Sequence, residues 1–395
     1  MRVRIGTSGL SYKEWKRPVY PEKISRAEDG RALSRDPGMS RRAAVAIFIA
    51  TALLVGCSPA YKRLPTLDDA PGLKTLARES QDRRHRNWNL QVGTAGTAPY
   101  SIVAEETGSD REDELVVLIH GLMSSRTTWQ FVSGHLGEHR RLWIPDQLGC
   151  GDSDRPDPET IDEWGYSPTG SARHLLEALR RRNDEAGWPD RIVIVGHSLG
   201  GAVALRILGS PELKQEFPRI LERVDRAVLI APLEFAVHRA DVALSVLSRV
   251  GSFSLFLGRV TGYMKQLVAR SLIEQAEYPD QVFRFDADRL LSAFDGKRNR
   301  RATQAIILQT APFNLETKLP DWPRIERLVA DYRTVGVPVL LIWGNRDETL
   351  PLAMGYKLAA ELPDAQLHIV EGGKHSLQAD RPVELADLIE SFLRD

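Results

Sequence analysis

The chain has 395 residues, of which 42% are hydrophobic, enough for one catalytic domain of roughly 250–300 residues with additional segments. Its 53 Lys and Arg residues balance 53 Asp and Glu residues, so the net charge does not favour nucleic acid or an acidic substrate as a partner. The two cysteines, Cys57 and Cys150, argue against a disulfide framework, and no Cys/His cluster has the spacing of zinc ligands. Nothing in the sequence therefore calls for a metal or another cofactor.

Residues 39–57 have the parts of a secretory signal. Met-Ser-Arg-Arg comes first, followed by an apolar run over residues 43–55, which is shorter than the roughly 18–20 residues of a bilayer span. Residues 54–57, Leu-Val-Gly-Cys, resemble the lipobox of bacterial lipoproteins. The resemblance implies cleavage before Cys57, diacylglycerol on its sulfur and attachment to a membrane surface of the bacterial cell envelope. A buried core helix and a plain N-terminal membrane anchor are the alternatives.

Residues 1–38 precede this signal, although a secretory signal belongs at the N-terminus of its protein. They come either from a gene fusion or from a start codon assigned too early, and we favour the second, with Met39 as the real start. We expect residues 1–38 to be disordered. Residues 58–88 become dense in charge and show no apolar periodicity towards their end, which predicts a linker to a domain over 89–395.

From residue 89 onwards, short apolar runs alternate with helical stretches, which predicts a mostly parallel α/β sheet with helices on both faces. Weak strands near 89–104 predict an antiparallel start. Residues 232–325 interrupt the alternation without a clear strand, and we expect a helical cap inserted after the sixth strand. The predicted strands are 115–119, 141–145, 191–195, 227–231, 337–343 and the partly polar edge strand 366–370, and the predicted helices are 124–137, 168–187, 199–209 and 379–394.

A serine lies in a glycine-rich turn directly after one of these buried strands. Residues 196–201 read Gly-His-Ser-Leu-Gly-Gly and precede a helix-forming stretch, the strand–turn–helix setting of a nucleophile elbow. Such a turn strains the backbone of its serine, here Ser198, so neighbouring positions must be small, as Gly196 and Gly200 are. His197 takes the variable position. Ser198 would stand at a helix N-terminus, where the helix dipole favours developing negative charge.

A serine hydroxyl needs a base to attack at neutral pH, and that base needs a carboxylate to fix its tautomer. Asp347 follows the strand 337–343 within Gly-Asn-Arg-Asp, and His375 follows the next strand within Gly-Gly-Lys-His. Catalytic groups gather at the carboxyl ends of strands in open α/β sheets. We therefore predict a triad of Ser198, His375 and Asp347.

These motifs, in this order, resemble the α/β-hydrolase superfamily over about residues 90–395, and most closely its capped branch. That branch contains esterases, lipases, epoxide hydrolases and carbon–carbon hydrolases. Ser198 argues against the epoxide hydrolases and haloalkane dehalogenases, since those enzymes use a carboxylate nucleophile. The resemblance extends to residues 120–121 and to the loop 146–154. It implies a carboxylesterase-like or lipase-like serine hydrolase acting on a small ester or lipid-like substrate.

The resemblance also implies an oxyanion hole made by two backbone N–H groups, those of Leu122 and Leu199. His120 and Gly121 precede Leu122 in the oxyanion loop, where we expect His120 to shape the loop rather than act as a base. A side chain at Leu122, in place of a run of glycines, favours short or medium acyl groups by the same resemblance.

Several alternatives remain open at the level of the sequence. Glu348 is adjacent to Asp347, and Glu234 stands where some relatives place the acid after the sixth strand. A hydrolase of carbon–carbon bonds would use the same triad, and a non-catalytic envelope binding protein would keep only the fold. Asp146 and Asp152 are predicted to fix their loop rather than to take part in the reaction.

Overall fold

A computed structural model describes residues 60–93, 99–110, 113–162, 165–233, 262–310 and 321–394, and it is built on one eight-stranded sheet. The strand order is β1-β2-β4-β3-β5-β6-β7-β8. The pairs β1–β2 and β2–β4 are antiparallel, and every pair from β4–β3 to β7–β8 is parallel. The predicted α/β class, the antiparallel start and the edge position of the last strand are confirmed. The strands are β1 Arg84–Val92, β2 Tyr100–Gly108, β3 Glu114–Ile119, β4 Arg141–Pro145, β5 Arg191–His197, β6 Val224–Ile230, β7 Val339–Gly344 and β8 Ala365–Val370.

Helices cover both faces of the sheet because its central strands are apolar on both sides. Val116 and Leu118 of β3 pack into one core cluster, while Leu115, Val117 and Ile119 pack into another on the opposite face. Three helices flanking the sheet lie close to their predicted positions. They are α3 Gln130–Leu136, after a 3-10 turn at Arg126–Trp129, α4 Pro168–Ala186 and α5 Leu199–Gly209, with shorter helices at α6 Pro211–Glu216 and α7 Pro218–Leu221.

Between β6 and β7 the described residues contain helices and no strand, as expected of a cap. They are α8 Tyr263–Gln275, α9 Arg284–Ser292, α10 Gly296–Thr310 and α11 Trp322–Tyr332. Residues 234–261 and 311–320 of the predicted cap lie outside the described residues. After β7 follow α12 Leu352–Glu361, α13 Leu377–Asp380 and α14 Pro382–Arg394. Within the described ranges, no helix combines the length and the apolarity that a membrane crossing requires.

The linker predicted at residues 58–88 is wrong for the part that the structure describes. Helix α1, Ala60–Arg63, lies against the cap, and helix α2, Pro71–Asp82, packs with Phe131 and Phe283 through its apolar side. Strand β1 begins at Arg84 and buries Trp88, Leu90 and Val92. At the end of β1 every second residue is apolar, but the charged residues nearby make this alternation hard to recognise in the sequence.

Candidate active site

The turn around Ser198 has the strained geometry predicted for a nucleophile elbow. Ser198 lies between β5 and α5 with φ 53° and ψ −117°, a combination that side chains other than glycine rarely adopt. Its N–H donates to the carbonyl of Ile230 at 3.0 Å, and its own carbonyl accepts from Leu233 at 2.8 Å. The serine is therefore held to the end of β6 by its backbone on both sides.

The glycines of the turn are required by close approaches of the backbone. A Cβ at Gly200 would lie 2.6 Å from the carbonyl oxygen of His120 and closer still to that of Ile119. A Cβ at Gly196 would lie 2.6 Å from the carbonyl carbon of Gly200. Contacts this short force backbone to move, so any larger residue at these positions would displace the turn.

Asp347 and His375, which lie 28 residues apart in the chain, form a buried hydrogen bond at the ends of β7 and β8. The Nδ1 atom of His375 lies 2.8 Å from Oδ2 of Asp347, and each residue is 5% exposed. The other carboxylate oxygen, Oδ1, accepts the N–H groups of Thr349 and Leu350 at 2.9 and 2.8 Å. The carboxylate is thus oriented by its own turn and requires the Nδ1–H tautomer of His375.

The histidine loop lies directly beside the elbow. His197, which precedes Ser198, has its Nε2 atom 3.0 Å from the carbonyl oxygen of His375, and the two rings are 4.9 Å apart between centroids. The strand order explains this meeting, since β5 and β8 end at the same edge of a parallel sheet. The three residues of the predicted triad are therefore brought to one place.

The predicted oxyanion loop lies against Ser198 and His197. A Cβ at Gly121 would lie 3.3 Å from the Cβ of Ser198 and 3.2 Å from Nδ1 of His197. Across the described ranges, the N–H groups of Leu122 and Leu199 have no hydrogen-bond acceptor. Two N–H groups without acceptors, one directly after the serine and one in the adjacent loop, match the requirement of an oxyanion hole.

His120 is a structural residue of this loop. It is fully buried, its Nδ1–H donates to the carbonyl of Gly121 at 2.8 Å, and its Nε2 accepts the N–H of Gln147 at 3.0 Å. Burial lowers the pKa of His120, so the ring stays neutral. The side chain of Gln147 also donates to the carbonyl of His120 at 2.6 Å. The expectation that His120 shapes the oxyanion loop agrees with these contacts.

The loop after β4 is organised by Asp146 and Arg126. The Oδ1 atom of Asp146 accepts the N–H of Arg126 at 2.6 Å, and its Oδ2 accepts the N–H of Asp152 at 2.9 Å. An ion pair also joins the side chains of Arg126 and Asp146. Arg126 also donates to the exposed carboxylate of Asp152 at 2.7 Å. These contacts are those of loop-fixing residues, as the sequence predicted.

The cap is joined to the histidine loop by several polar contacts. Arg381 pairs with Glu277 through two hydrogen bonds of 2.8 and 2.7 Å, and Asp380 accepts the N–H of Glu277 at 2.9 Å. Lys374, next to His375, donates to the carbonyl of Glu274 at 2.9 Å. The end of α8 and the residues after it are thus anchored to the loop that carries the histidine and to the residues that follow it.

The other candidate residues lie elsewhere. Cys150 is buried, which raises its pKa to about 12 and makes its thiol unreactive. Glu234, the alternative acid, and Cys57 both lie outside the described residues. In the part of the chain that the structure describes, no group of His, Cys, Asp and Glu could hold a metal ion. Asp347 is the carboxylate that is hydrogen-bonded to Nδ1 of His375.

Sequence reasoning missed two contacts of this site. His197 takes the variable position of the elbow motif but contacts His375, and Gln147 lies in a loop motif that assigns it no role but contacts His120. The loop motif around Asp146 was a signal for the second contact, whereas no local pattern indicates a partner 178 residues away.

Known proteins resemble this chain over most of the domain. A pimeloyl-[acyl-carrier protein] methyl ester esterase of Aromatoleum aromaticum is 30% identical over 287 residues, covering 71% of this chain and 98% of the relative. A 2-hydroxy-6-oxononadienedioate/2-hydroxy-6-oxononatrienedioate hydrolase of Escherichia coli is 25% identical over 289 residues, covering 71% and 87%. The structure of a thermophilic esterase from Thermogutta terrifontis superimposes with a TM-score of 0.55 at 19% identity, covering 78% of this chain and 98% of the esterase. The sequence model described as the alpha/beta hydrolase family matches residues 116–388. With the sheet, the elbow and this match together, the chain belongs to the alpha/beta hydrolase family.

Proposed function

We propose that this protein hydrolyses carboxylic esters of short or medium acyl chains through an acyl-enzyme. Ser198 is the nucleophile, His375 the base and Asp347 the acid that orients the base. The observation that carries the proposal is the buried hydrogen bond of His375 to Asp347 beside the strained turn of Ser198. An ordinary helix N-cap needs neither that strain nor a neighbouring histidine–carboxylate pair.

The proposed reaction assigns one role to each of these groups. His375 takes the proton of the Ser198 hydroxyl through Nε2 while the oxygen attacks the ester carbonyl. Asp347 keeps Nδ1 protonated and stabilises the imidazolium that forms. The N–H groups of Leu122 and Leu199 hold the oxyanion, and each such donor typically contributes about 3 kcal/mol to transition-state stabilisation. His375 then protonates the leaving alcohol, and water attacks the acyl-enzyme with His375 again as base.

The first test compares Ser198→Ala with Ser271→Ala, a serine on the cap helix α8 whose hydroxyl contacts Gln275. We expect Ser198→Ala to remain folded, to lose turnover of p-nitrophenyl acetate and butyrate, and to escape labelling by a fluorophosphonate. Ser271→Ala should keep both activities. Turnover by the Ser198→Ala variant at the wild-type rate would refute the proposal. Failure of the wild-type protein to be labelled would support a binding protein that has lost catalysis.

A carbon–carbon bond hydrolase is the second candidate, and the relative from Escherichia coli, which is named for such a substrate class, favours it. The same three residues would act after the substrate ketonises. A panel that compares p-nitrophenyl and methyl esters with vinylogous 1,5-diketones separates the two functions. Ester turnover exceeding diketone turnover by a large factor in kcat/KM supports the esterase, and the reverse order supports the second candidate.

Attachment to a membrane through a lipid on Cys57 is a separate proposal, supported by the lipobox-like residues 54–57. It predicts a mature N-terminus at Cys57, modified by diacylglycerol, in the bacterial cell envelope. The intact mass of the protein purified from membranes tests the modification and the start at Met39 together. An unmodified N-terminus upstream of residue 57 would refute the lipid anchor without affecting the esterase proposal.

A further inference from the structure

The catalytic histidine has two anchors, and only one of them is the carboxylate. Asp347 holds the imidazole of His375 at Nδ1. The backbone of the same residue is held separately, because the Nε2 atom of His197 lies 3.0 Å from the His375 carbonyl oxygen. No other donor among the described residues reaches that carbonyl. Both contacts are buried, with His197 6% exposed and His375 5% exposed.

The loop that carries His375 is fixed up to Gly373 by hydrogen bonds, since the N–H of Gly372 donates to Asn345 and the carbonyl of Gly373 accepts from Arg346. From there the backbone continues through Lys374 to His375. Two glycines, Gly372 and Gly373, immediately precede Lys374 and His375, and Gly372 has φ 78°. Glycine leaves the backbone more freedom than any other residue. A hydrogen bond between the carbonyl of His375 and an element of the central sheet therefore removes freedom at the point where the imidazole must face the serine.

His197 is suited to this contact because its ring lies on the last residue of β5, directly before Ser198. His197, which contacts the His375 backbone, and the nucleophile Ser198 are therefore consecutive residues. The position of the histidine loop is thus fixed relative to the serine. The ring also lies between two parts of the site. On one side it contacts the His375 ring at 4.9 Å, and on the other its Nδ1 faces Gly121 of the oxyanion loop.

The protonation state of His197 is fixed by its surroundings. A carbonyl oxygen only accepts, so Nε2 carries the hydrogen. Burial, together with the neighbouring His375 and His120, lowers the pKa of His197 to about 3, so the ring is neutral at neutral pH. A neutral ring matters here, because a cation against His375 would oppose the imidazolium that forms during the reaction.

We propose that His197 is a positioning residue, which holds the backbone of His375 so that its imidazole faces Ser198. The proposal rests on the proposed function, since it assigns His375 the role of base. It predicts that the hydrogen-bond donor at the position of Nε2, rather than the imidazole as such, is what the site requires.

Two amide variants isolate the donor. In His197→Gln the amide nitrogen reaches about as far from the backbone as Nε2, whereas in His197→Asn it stops near the position of Nδ1. Both side chains are neutral and polar, so their costs of burial are similar. His174→Asn is the matched control, because His174 is also a buried histidine, 5% exposed, on helix α4 away from the histidine loop.

The measurements are kcat and KM for p-nitrophenyl butyrate, the rate of fluorophosphonate labelling of Ser198, and the melting temperature. We expect His197→Asn to lower kcat and the labelling rate about 10–100-fold, since misplacing a catalytic group by about 1 Å has effects of this size. KM should change less than threefold. His197→Gln should stay within about threefold of the wild type, and His174→Asn should affect the melting temperature alone.

Each result has a definite meaning. Equal kcat values for His197→Asn and the wild type, or equal losses in His197→Asn and His197→Gln, would overturn the proposal. A loss of kcat/KM in His197→Asn that comes from a higher KM, with an unchanged labelling rate, would also overturn it. Substrate binding rather than the base would then be affected. If His197→Asn does not fold, the kcat of His197→Gln decides, since a loss there beyond about tenfold contradicts a donor role. Absence of labelling in the wild type would instead refute the proposed function.

Discussion

Replacing Gly200 by alanine tests whether the close approach of the elbow to the oxyanion strand determines activity. The added methyl would lie 2.6 Å from the carbonyl oxygen of His120 and closer still to that of Ile119, so it falls at least 0.8 Å short of the 3.4 Å at which ordinary contacts begin. Both atoms in this clash belong to or are bonded to backbone, so no side-chain rotation relieves it. The turn that carries Ser198 must move away from residues 119–120 by a distance of this order.

Two consequences follow for Gly200→Ala. Overpacking of a buried site typically costs about 1–3 kcal/mol of unfolding free energy. A displacement of the nucleophile by nearly 1 Å relative to the N–H group of Leu122 is expected to lower kcat about 100-fold. The assays are urea unfolding followed by circular dichroism, and kcat with p-nitrophenyl butyrate.

Gly72→Ala is the matched control, because it adds the same methyl group where no atom lies within 4 Å. Gly72 stands in the first turn of helix α2, where alanine is the better helix former, so this variant should be as stable as the wild type or slightly more stable. Its kcat should be unchanged. The reasoning fails if Gly200→Ala retains wild-type kcat and stability, or if Gly72→Ala loses as much activity.

Two further predictions follow from the carboxylates of the site. Asp347→Asn should keep an oxygen for the N–H groups of Thr349 and Leu350, but it presents an amide NH₂ group to Nδ1 of His375. We therefore expect kcat to fall about 10³–10⁴-fold with little change in melting temperature. A loss below tenfold would contradict Asp347 as the acid. Burial raises the pKa of Asp380 from 3.8 to about 6 in the folded protein. Between these pH values the folded state binds more protons than the unfolded state. The unfolding free energy that this residue contributes therefore declines as pH rises from about 4 to 6. Asp380→Asn should remove that part of the decline, and identical pH profiles of unfolding free energy for the variant and the wild type would contradict it.

Much of the central sheet could be predicted because its signal is local. Strands β3, β5 and β7 are short, continuous apolar runs, and a strand buried on both faces needs such residues at every position. Helix α2 and residues 84–88 of strand β1 were not predicted, for the opposite reason. Their apolar residues occupy one face only, and the charged residues between them, on the solvent side, dominate any average over a window.

The same distinction applies to the site. The residue types at positions 196–201, 347 and 375 follow from chemistry that a short motif can express, since a strained turn needs glycines and a serine needs a base with a carboxylate. The contacts of His197 with His375, of Gln147 with His120 and of the cap with Arg381 have no local pattern. They depend on which strands end side by side.

The amino-acid sequence by itself therefore determined the fold class and the elbow, because each is encoded within a few consecutive residues or by their order along the chain. It also predicted Ser198, His375 and Asp347 as a triad, but it left other carboxylates open as the acid. Only the tertiary structure decided that residues 60–82 belong to the folded domain, that Asp347 rather than a neighbouring carboxylate contacts His375, and that His197 holds the backbone of His375. Such contacts join residues far apart in the chain, and they form where the carboxyl ends of parallel strands are brought to one edge by the packing of the whole sheet.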